Sequence, residues 1–589
     1  TPYYTMKIPD TVGGVNPENK NTTLRYSTLF LELPNSVHLF VFYRFTPKRR
    51  LSSVFTDFSP TSAIAFHKGF FACPLCDSRY FFLQENPRFF TSAPPRQPIT
   101  IRASQKDRAV TLIEDLRSAV GDSAVKTDPA LLAPFLLDNR RRFHGSVLCA
   151  VYPKNTEETA AVMTVCARHH ALVFVQGGNT SNAAAATPVV TGRDTDKSVL
   201  IRLDAMRNIK IDRVNGTAEV DAGVILAELQ TAADKAGLLF PVSLAAEGSC
   251  TVGGALSTNA GGVHVVRYGN MREQCLGLEV VLADGTVLPM LRGLRKDNLS
   301  YDLRDLFIGA EGTLGVITKA VVKLAAKPLA RRVFLAAVQT PEKAEILFET
   351  LQSVAASKLS AFELMAKPTI DKVAEMMPDV PIGLKLTSDW YVLAELRYDS
   401  VDEYELLSES FDDFLGTLFD DGTITDAVLA QSEKENLALW RIRESIPEAH
   451  KKAGGNVKHD ISVPRSSLAA FVKDCTSELT ATFPWIAPSI FGHFGDGNLH
   501  YNMGVKKGFD PQLCFDHEDD IHAVVYRWVE KFQGSPAAEH GVGRIKRDAL
   551  RQRRAGAEYT LLTQIKKLLD PENRMNRGAI FTPEDLLLN

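Results

Sequence analysis

The stretch Ser249 to Gly262, SCTVGGALSTNAGG, decides the fold, because it holds two pairs of consecutive glycines separated by small and hydroxyl side chains. Each glycine in regular structure costs about 1 kcal/mol, so such a tract is seldom kept for packing alone. The uncovered backbone can approach a large planar ligand and its phosphates closely. The stretch therefore predicts a ligand-binding loop between strands.

Two further glycine-rich stretches lie before and after this loop. QGGNTS, Gln176 to Ser181, follows an apolar run that predicts a buried strand, and its glycines can turn N–H groups toward a phosphate. It is not GxGxxG and no clear helix follows at once, which disfavours a Rossmann dinucleotide site. By itself it suits a phosphate cradle and a tight turn equally well. FIGAEGTLGVIT, Phe307 to Thr318, offers another close backbone approach.

The length and charge of the chain narrow its class. At 589 residues it is too long for one hydrophobic core, so we expect several domains. A formal net charge of -3, without a long basic block, disfavours nucleic acid as a partner. No apolar run approaches the roughly 20 residues of a transmembrane helix. The scattered cysteines predict no disulfide framework, and the CxxC of Cys73 and Cys76 is interpreted as chance.

Changes in composition and hydrophobic periodicity divide the chain into four parts. Residues 1–104 are rich in Phe and Pro without a helical period, and predict a disordered leader or a misassigned gene start without assigned function. Residues 105–327 alternate strands and helices, with a hairpin turn at Asp284–Gly285. Residues 328–485 predict a separate α+β domain. Residues 486–589 contain a dense polar cluster and a terminal helix.

The polar cluster contains candidate metal ligands. In FGHFGDGNLHYN, a turn at Gly495–Asn498 would place His493 opposite His500 on paired strands, with Cβ atoms about 4.5–5.5 Å apart. Further along, AAEHGVGRIKR supplies Glu539 and His540. Two imidazoles and a carboxylate suit Zn²⁺ or Mn²⁺. For the histidine pair alone, a hydrogen-bonded pair that stabilises a turn is the stronger interpretation.

A third motif suits an anionic ligand. LWRIRESIPEAHKKAGGNVKHDISVP, Leu439 to Pro464, predicts a helix carrying Arg441 and Arg443, followed by an extended segment with Lys458. Arginine binds carboxylates with two parallel hydrogen bonds, and lysine provides a point charge. A surface helix is the default interpretation of an arginine next to a glutamate.

In their order and spacing, these motifs together resemble the FAD-dependent D-2-hydroxyglutarate and D-lactate dehydrogenases of the vanillyl-alcohol oxidase flavoprotein superfamily. LGLEVVLADGTVL and LRKDNLSYDLRDLFIGAEGTLGVIT extend the resemblance over residues 105 to 585. It implies an α+β fold: a two-lobed FAD-binding domain of the PCMH type, an α+β substrate (cap) domain, and a C-terminal segment that returns to the flavin.

The resemblance implies non-covalent FAD, because Asn179 stands where some superfamily members have the histidine that attaches it. The family's further glycines are replaced by NAAAA, Asn182 to Ala186, whose methyl groups predict a narrower backbone approach and weaker flavin binding. The expected FAD ligands are Gly177, Gly178, Asn179, Thr180, Ser181, Ser249, Gly253, Gly254, Thr258, Asn259, Gly261, Gly262 and Asn576.

The resemblance also implies a metal and a substrate site. The expected ligands of a divalent metal, zinc above others, are His493, His500 and Glu539. His540 is expected to be the catalytic acid or base, and the expected substrate contacts are Arg443, Lys458, Asn502 and His540. A threonine of the family is replaced by Pro447, which has no hydroxyl, and Arg441 is expected to be solvated or structural.

The implied reaction is oxidation of a D-2-hydroxy acid, D-2-hydroxyglutarate before others, to the 2-oxo acid by hydride transfer to flavin N5. An electron-acceptor protein or a quinone would take the electrons. D-lactate oxidation is the main alternative, followed by a flavin-poor, non-catalytic homologue and an enzyme like alkylglycerone phosphate synthase. The expected compartment is mitochondrial in a eukaryote and cytoplasmic in a bacterium, and a homodimer is left open.

Overall fold

The computed structural model divides the chain into two compact units, Thr1–Ile99 and Thr100–Asn589. In the first unit, Tyr26–Leu33 pairs antiparallel with Val37–Arg44. The rest of the predicted leader, including the CxxC motif, lies outside the described residues. No helix within the described ranges is long and apolar enough to cross a membrane. Those ranges are 26–33, 37–44, 105–190 and 192–587.

The first lobe of the second unit contains a four-stranded sheet with two parallel pairings. Cys149–Val151 and Leu172–Gln176 both lie parallel to Ser198–Arg202, and the helix Thr156–Arg168 connects the first two strands. Asn155 begins this helix, where its side chain accepts the N–H of the third helical residue at 2.8 Å. In sheet order the strands are Val125–Lys126, Cys149–Val151, Ser198–Arg202 and Leu172–Gln176.

The second lobe is a five-stranded antiparallel sheet that shares one hydrophobic core with the first. The hairpin predicted at Asp284–Gly285 is confirmed, because Cys275–Val281 pairs with Val287–Met290. Val173 of the first sheet and Val280 of the second belong to one buried cluster. In sheet order the strands are Val287–Met290, Cys275–Val281, Val316–Lys323, Thr217–Asp221 and Ile209–Asp212; Leu238–Leu239 pairs separately with Ala325–Ala326.

The cap is a seven-stranded antiparallel sheet covered on both faces. Along Ala330–Val338, Phe334 and Ala336 belong to one buried cluster, whereas Val333 and Leu335 belong to another. This alternation follows from the two-residue period of a strand, so both faces must be apolar. In sheet order the strands are Asp426–Leu429, Ala330–Val338, Trp390–Tyr398, Leu359–Ala366, Ile486–His493, Asn498–Val505 and Asp460–Ser462.

The predicted boundary after residue 485 falls inside this sheet. Ile486–His493 and Asn498–Val505 lie between Leu359–Ala366 and Asp460–Ser462, so the expected C-terminal segment supplies two strands of the cap. Strand pairing joins residues that are distant in the chain, and a local change in composition or periodicity does not reveal such pairing. The other boundaries stay predictions.

The C-terminal tail returns to the first lobe, as the resemblance implies. Met575 forms a bridge with Val173 and is buried in the core of the two lobes. The helices of the second unit are Gln105–Val120, Pro129–Leu132, Thr156–Arg168, Leu226–Lys235, Val252–Ser257, Val265–Tyr268, Met271–Gln274, Arg304–Phe307, Pro341–Ala355, Lys367–Met376, Val401–Asp420, Glu433–Glu444, Ile446–Lys452, Arg465–Thr482, Gln512–Asp516, Glu518–Lys531, Arg547–Arg553 and Ala557–Leu569.

Candidate active site

A cavity of about 760 Å³ lies between the glycine-rich loops of the two lobes and the cap. This volume falls within the range of about 300–1,000 Å³ that is typical of cofactor and small-molecule sites. Backbone and small side chains of 177–182, 253–255 and 260–262 form one part of the wall. Charged and imidazole side chains of the cap form another. The cavity therefore suits a large ligand on one side and polar chemistry on the other.

The first glycine-rich loop presents unengaged N–H groups to the cavity. Within the described part of the chain, no N–H group of Gly178 to Asn182 donates a hydrogen bond to a protein atom. Asn179 has a φ of 55°, and its Nδ2 donates to the carbonyl of Leu137 at 2.9 Å. Gly178 packs against Ser249 so closely that an added Cβ would lie 2.0 Å from the Ser249 carbonyl oxygen. Such a loop suits a phosphate.

The alanine run that follows places only part of its methyl groups in the cavity. Ala183 and Ala184 are buried and do not belong to the wall, whereas Ala185 and Ala186 line it. Ala184 has a φ of 56°, a conformation that residues with a Cβ seldom adopt. The carbonyl of Ala183 accepts the N–H of Arg544 at 2.9 Å. Contact with the C-terminal segment thus holds the run on a path that glycine would follow easily.

The second glycine-rich loop lies against the first, and most of its expected ligands line the cavity. Ser249 and Asn259 do not. Ser249 is exposed, and Asn259 turns its Oδ1 to accept the N–H of Arg272 at 2.9 Å. An irregular loop has no period from which these orientations could be predicted. The expected ligands in the wall are Gly177, Gly178, Asn179, Thr180, Ser181, Gly253, Gly254, Thr258, Gly261 and Gly262.

Asn576 in the tail also lies behind the wall, not in it. Its Nδ2 donates to the carbonyls of Ala185 at 2.8 Å and Glu311 at 2.7 Å, which joins the alanine run to the third glycine-rich stretch. The carboxylate of Glu311 accepts the N–H groups of Val542 and Gly543, while burial raises its pKa to about 7. Asn576 therefore supports two segments behind the wall through Nδ2. Its Oδ1 is buried without a hydrogen-bond partner among the described residues, and its expected contact with the flavin stays a prediction.

The three expected metal ligands come together at the cap side of the cavity. The donor atoms of His493, His500 and Glu539 all lie within 4.8 Å of one another. Nε2 of His493 is 3.1 Å from Oε1 of Glu539, and Nε2 of His500 is 3.9 Å from Oε2. Burial lowers the pKa of His500 to about 3, so this imidazole is neutral and can donate its lone pair to a metal.

The strand register that brings the histidines together differs from the predicted one. Phe491, and not His493, lies opposite His500. The turn contains a 3₁₀ segment, Phe494–Asp496, and then Gly497 with a φ of 84°, which displaces the register by two residues. Because side chains alternate with a period of two, this displacement leaves both histidines on one face. Their ring centroids are 5.6 Å apart.

A buried carboxylate, Glu363, connects His493 to Arg443. Its Oε1 is hydrogen-bonded to Nδ1 of His493, and its Oε2 accepts from Nε of Arg443 at 2.6 Å. Burial alone would raise the pKa of Glu363, but the charges of His493 and Arg443 outweigh it and lower the pKa to about 2. The carboxylate is thus ionised and leaves Nε2 of His493 directed at Glu539. Such carboxylate–histidine pairs commonly orient metal ligands.

A second buried carboxylate, Asp460, holds the segment that carries Glu539 and His540. Its Oδ2 accepts the backbone N–H groups of Glu539 at 3.0 Å and His540 at 2.9 Å, and lies 3.2 Å from Nδ1 of His540. Burial favours the neutral form of Asp460, but the charges of His540 and Lys546 keep its pKa well below the ordinary value. Burial lowers the pKa of His540. With Nδ1 directed at Asp460, Nε2 of the neutral ring can accept a proton.

The remaining expected substrate contacts also line the cavity. Arg443 and Asn502 are buried, whereas Lys458 is exposed, and all three line the cavity. The Oδ1 of Asn502 accepts the N–H of His459 at 3.1 Å. Pro447 lines the same wall and offers no donor. Arg441 lies outside it and pairs with an exposed aspartate, in agreement with the prediction. The cavity thus collects cationic groups around its imidazoles.

The sequence patterns do not identify several charged residues in the wall or behind it, among them Arg140, Glu311, Glu363 and Asp460. The sequence could have indicated a role for Glu363, because this residue interrupts the apolar strand LSAFELMA and a buried carboxylate requires a partner. No sequence pattern indicates a role for Arg140, because only the tertiary fold brings its loop to the cavity. Asp460 stands within the quoted cationic motif, but its partners lie about 80 residues further along.

Known proteins match the chain over most of its length. Residues 147–290 match the family of the FAD binding domain, and residues 327–580 match that of FAD linked oxidases, C-terminal domain. A probable mitochondrial D-2-hydroxyglutarate dehydrogenase of Oryza sativa subsp. indica is 36% identical over 474 residues, 80% of this chain and 81% of the relative. A mitochondrial D-2-hydroxyglutarate dehydrogenase of Bos taurus is 37% identical, over 77% of this chain and 80% of the relative. A putative mitochondrial D-lactate dehydrogenase of Schizosaccharomyces pombe is 34% identical, over 82% and 91%.

Solved structures share the fold at low identity. p-Cresol methylhydroxylase with bound substrate superposes with a TM-score of 0.62 at 16% identity, covering 81% of this chain and 97% of that chain. Alkyldihydroxyacetonephosphate synthase superposes with a TM-score of 0.60 at 16% identity, covering 82% and 87%. These likenesses support the expected two-lobed FAD-binding fold and nothing further.

Proposed function

Because the chain belongs to the family of FAD-dependent D-2-hydroxyglutarate and D-lactate dehydrogenases, we propose that it oxidises D-2-hydroxyglutarate in this cavity. The observation that carries the proposal is the meeting of bare glycine loops, a His–His–Glu donor set and two cationic side chains at one wall. The first suits the cofactor, the second a metal and the third a substrate carboxylate.

The cavity fits FAD. Its volume is sufficient for a large ligand. The unengaged N–H groups of Gly178 to Asn182 can donate hydrogen bonds to the anionic oxygens of a pyrophosphate. Asn179 has no imidazole for covalent attachment, so we propose non-covalent FAD. Bound FAD supplies the hydride acceptor at N5.

The donor set fits a divalent metal, for which we propose zinc. His493, His500 and Glu539 offer two nitrogens and one oxygen at one point, and Glu363 orients the first imidazole. An ion held there would supply Lewis acidity toward the 2-hydroxyl group of the substrate.

The protein's own side chains would bind the substrate and move its proton. Arg443 and Lys458 neutralise carboxylate charge, and Asn502 contacts the substrate beside them. Nε2 of His540 accepts the hydroxyl proton, while Asp460 fixes the ring through Nδ1. Held in this way, the substrate can present its C2 hydrogen to the flavin.

The partners and compartment of the enzyme stay at the level of proposals. A second protein or a quinone would remove the electrons from reduced FAD, and a homodimer is one candidate assembly. Because the plant, animal and yeast relatives are named mitochondrial, we propose a mitochondrial location for a eukaryotic source and a cytoplasmic one for a bacterial source.

The substrate proposal predicts which acids reduce the flavin. Under anaerobic conditions, D-2-hydroxyglutarate should bleach the flavin absorbance rapidly, D-lactate more slowly, and the L-enantiomers not at all. The D-enantiomer alone is expected because the metal, His540 and the cationic side chains fix several substituents of C2 at once. Faster bleaching by D-lactate would favour the D-lactate dehydrogenase alternative, and purified protein that takes up no FAD would favour the non-catalytic one.

Flavin binding should depend on the contact between the first two glycine-rich loops. In the variant Gly178→Ala, the added Cβ would lie 2.0 Å from the Ser249 carbonyl oxygen. We expect about 1–3 kcal/mol of strain and FAD affinity weaker by about 10–100-fold, measured by flavin titration. Gly248→Ala is the matched control, because nothing lies within 4 Å of an added Cβ there. Equal FAD affinity in both variants would contradict the proposal that the first glycine-rich loop binds the pyrophosphate.

A further inference from the structure

We propose that Arg140, with Lys458, binds the distal carboxylate of a dicarboxylic 2-hydroxy acid and so selects against monocarboxylic substrates. The inference rests on the proposed function and adds a specificity residue from outside the cationic motif of residues 439–464. It names the substrate class by chemistry: a 2-hydroxy acid with a second carboxylate at the end of its carbon chain.

Arg140 stands at the cavity wall on a loop that Asp138 holds by hydrogen bonds. The carboxylate of Asp138 accepts the N–H groups of Arg140 at 3.0 Å and Phe143 at 2.6 Å, which fixes the backbone on both sides. The Arg140 side chain lines the main cavity and an adjoining small cavity. Its Nε is buried without a hydrogen-bond partner. Such a donor, held at a cavity wall, is suited to an incoming anion.

Its neighbours in the chain are arranged differently. Arg142 makes two hydrogen bonds to the carboxylate of Glu518, at 2.8 and 3.1 Å. Arg141 is exposed and does not line either cavity. Neither Arg140 nor Arg141 has an ion pair within the described part of the chain, and of these two only Arg140 lines the cavities. Its guanidinium is therefore available for a ligand, whereas that of Arg142 is committed.

The carboxylates near Arg140 are already hydrogen-bonded to other residues. Asp460 accepts hydrogen bonds from the segment of Glu539 and His540, and Glu518 is bound by Arg142. Lys458, at the same wall, has no ion pair with any described residue. Burial and the charges of Arg140 and Arg142 lower its pKa. Two cations that repel each other in this way are both stabilised when a carboxylate binds between them.

The positions of the cations assign them to different ends of a substrate. Arg443 is bonded to Glu363, which is itself bonded to His493, so Arg443 belongs to the metal side. Lys458 and Arg140 are not part of that network. Pro447 lines the same cavity and offers no hydroxyl. Arg140, which lines that cavity too, can donate hydrogen bonds to a carboxylate there.

The test compares Arg140→Met with Arg141→Met, a matched control one residue away. In Arg140→Met, the ratio of kcat/KM for D-2-hydroxyglutarate to that for D-lactate should fall about 10–100-fold. Arg140→Lys should recover part of the ratio, because it restores charge without the planar fork. The control should keep the wild-type ratio. An equal loss of kcat/KM for both acids, or an unchanged ratio in Arg140→Met, would overturn the inference.

A binding titration separates this inference from the proposed function. Glutarate, an unreactive dicarboxylate, should perturb the flavin spectrum of the wild-type holoenzyme at lower concentration than butyrate, and Arg140→Met should abolish the difference. Wild-type protein whose flavin is reduced by neither acid would contradict the proposed function, while the glutarate titration would still decide the role of Arg140. Equal binding of glutarate and butyrate to the wild type would overturn that role.

Discussion

Replacement of His540 by asparagine is expected to slow flavin reduction by D-2-hydroxyglutarate about 10²–10⁴-fold, the usual contribution of a positioned acid or base. The reason is geometric: Asp460 engages Nδ1 at 3.2 Å and leaves Nε2 for the substrate hydroxyl. Asparagine retains a polar side chain but cannot carry the proton at neutral pH. The rate should be measured by anaerobic stopped-flow of the flavin absorbance.

The matched control is His170→Asn. The side chain of His170 is 73% exposed, and its φ of 49° suits asparagine. This variant should reduce its flavin at the wild-type rate. Full activity of His540→Asn with normal FAD content would show that another group takes the proton. Loss of FAD from that variant would instead show that His540 supports the cofactor site.

Replacement of Glu539 by glutamine is expected to remove the bound metal and slow flavin reduction about 10²–10³-fold, since a Lewis acid supplies several kcal/mol to such a reaction. Glutamine keeps the size of the side chain but loses the charge that joins His493 and His500. Metal content by plasma mass spectrometry and the FAD spectrum should be measured together. We expect about one ion per wild-type chain.

His493→Ala tests the same site less cleanly. It removes one of the two buried partners of Glu363 and leaves only Arg443. Loss of a partner from a buried ion pair can cost about 3–5 kcal/mol and unfold the protein. Glu448→Gln, on an exposed helical position, is the control for Glu539→Gln and should retain metal and rate. Wild-type protein that keeps its full rate after exhaustive chelation, with no metal detected, would contradict the metal proposal.

The sequence predicted those parts of the site whose determinants are local. Glycines at 253–254 permit close backbone approach, so the second loop predicted a ligand site by itself. Those at 177–178 suited a phosphate cradle and a tight turn equally well, and the family resemblance favoured a cofactor for both loops. His493 and His500 could be placed on one face from the two-residue period of paired strands. That inference survived a register error of two residues, because an even displacement does not change the face.

The sequence could not predict which side chains support the site from a distance. Glu363 meets His493 across a sheet, and Asp460 meets His540 across a chain separation of about 80 residues. Ser249, Asn259 and Asn576 stand in matching motifs but do not line the cavity. Orientation within an irregular loop depends on packing against other segments, which no local pattern records.

The sequence by itself determined the two-lobed FAD-binding fold and the identity of the groups that can do the chemistry: bare glycine backbone, imidazoles, a carboxylate and cations. Only the tertiary structure decided how those groups are held and which others join them. It closed the seven-stranded cap across the predicted boundary, set Glu363 and Asp460 behind the histidines, and brought Arg140 to the wall beside Lys458. The physical reason is that residue type and spacing determine what a side chain can do, whereas long-range pairing of strands and loops determines what it meets.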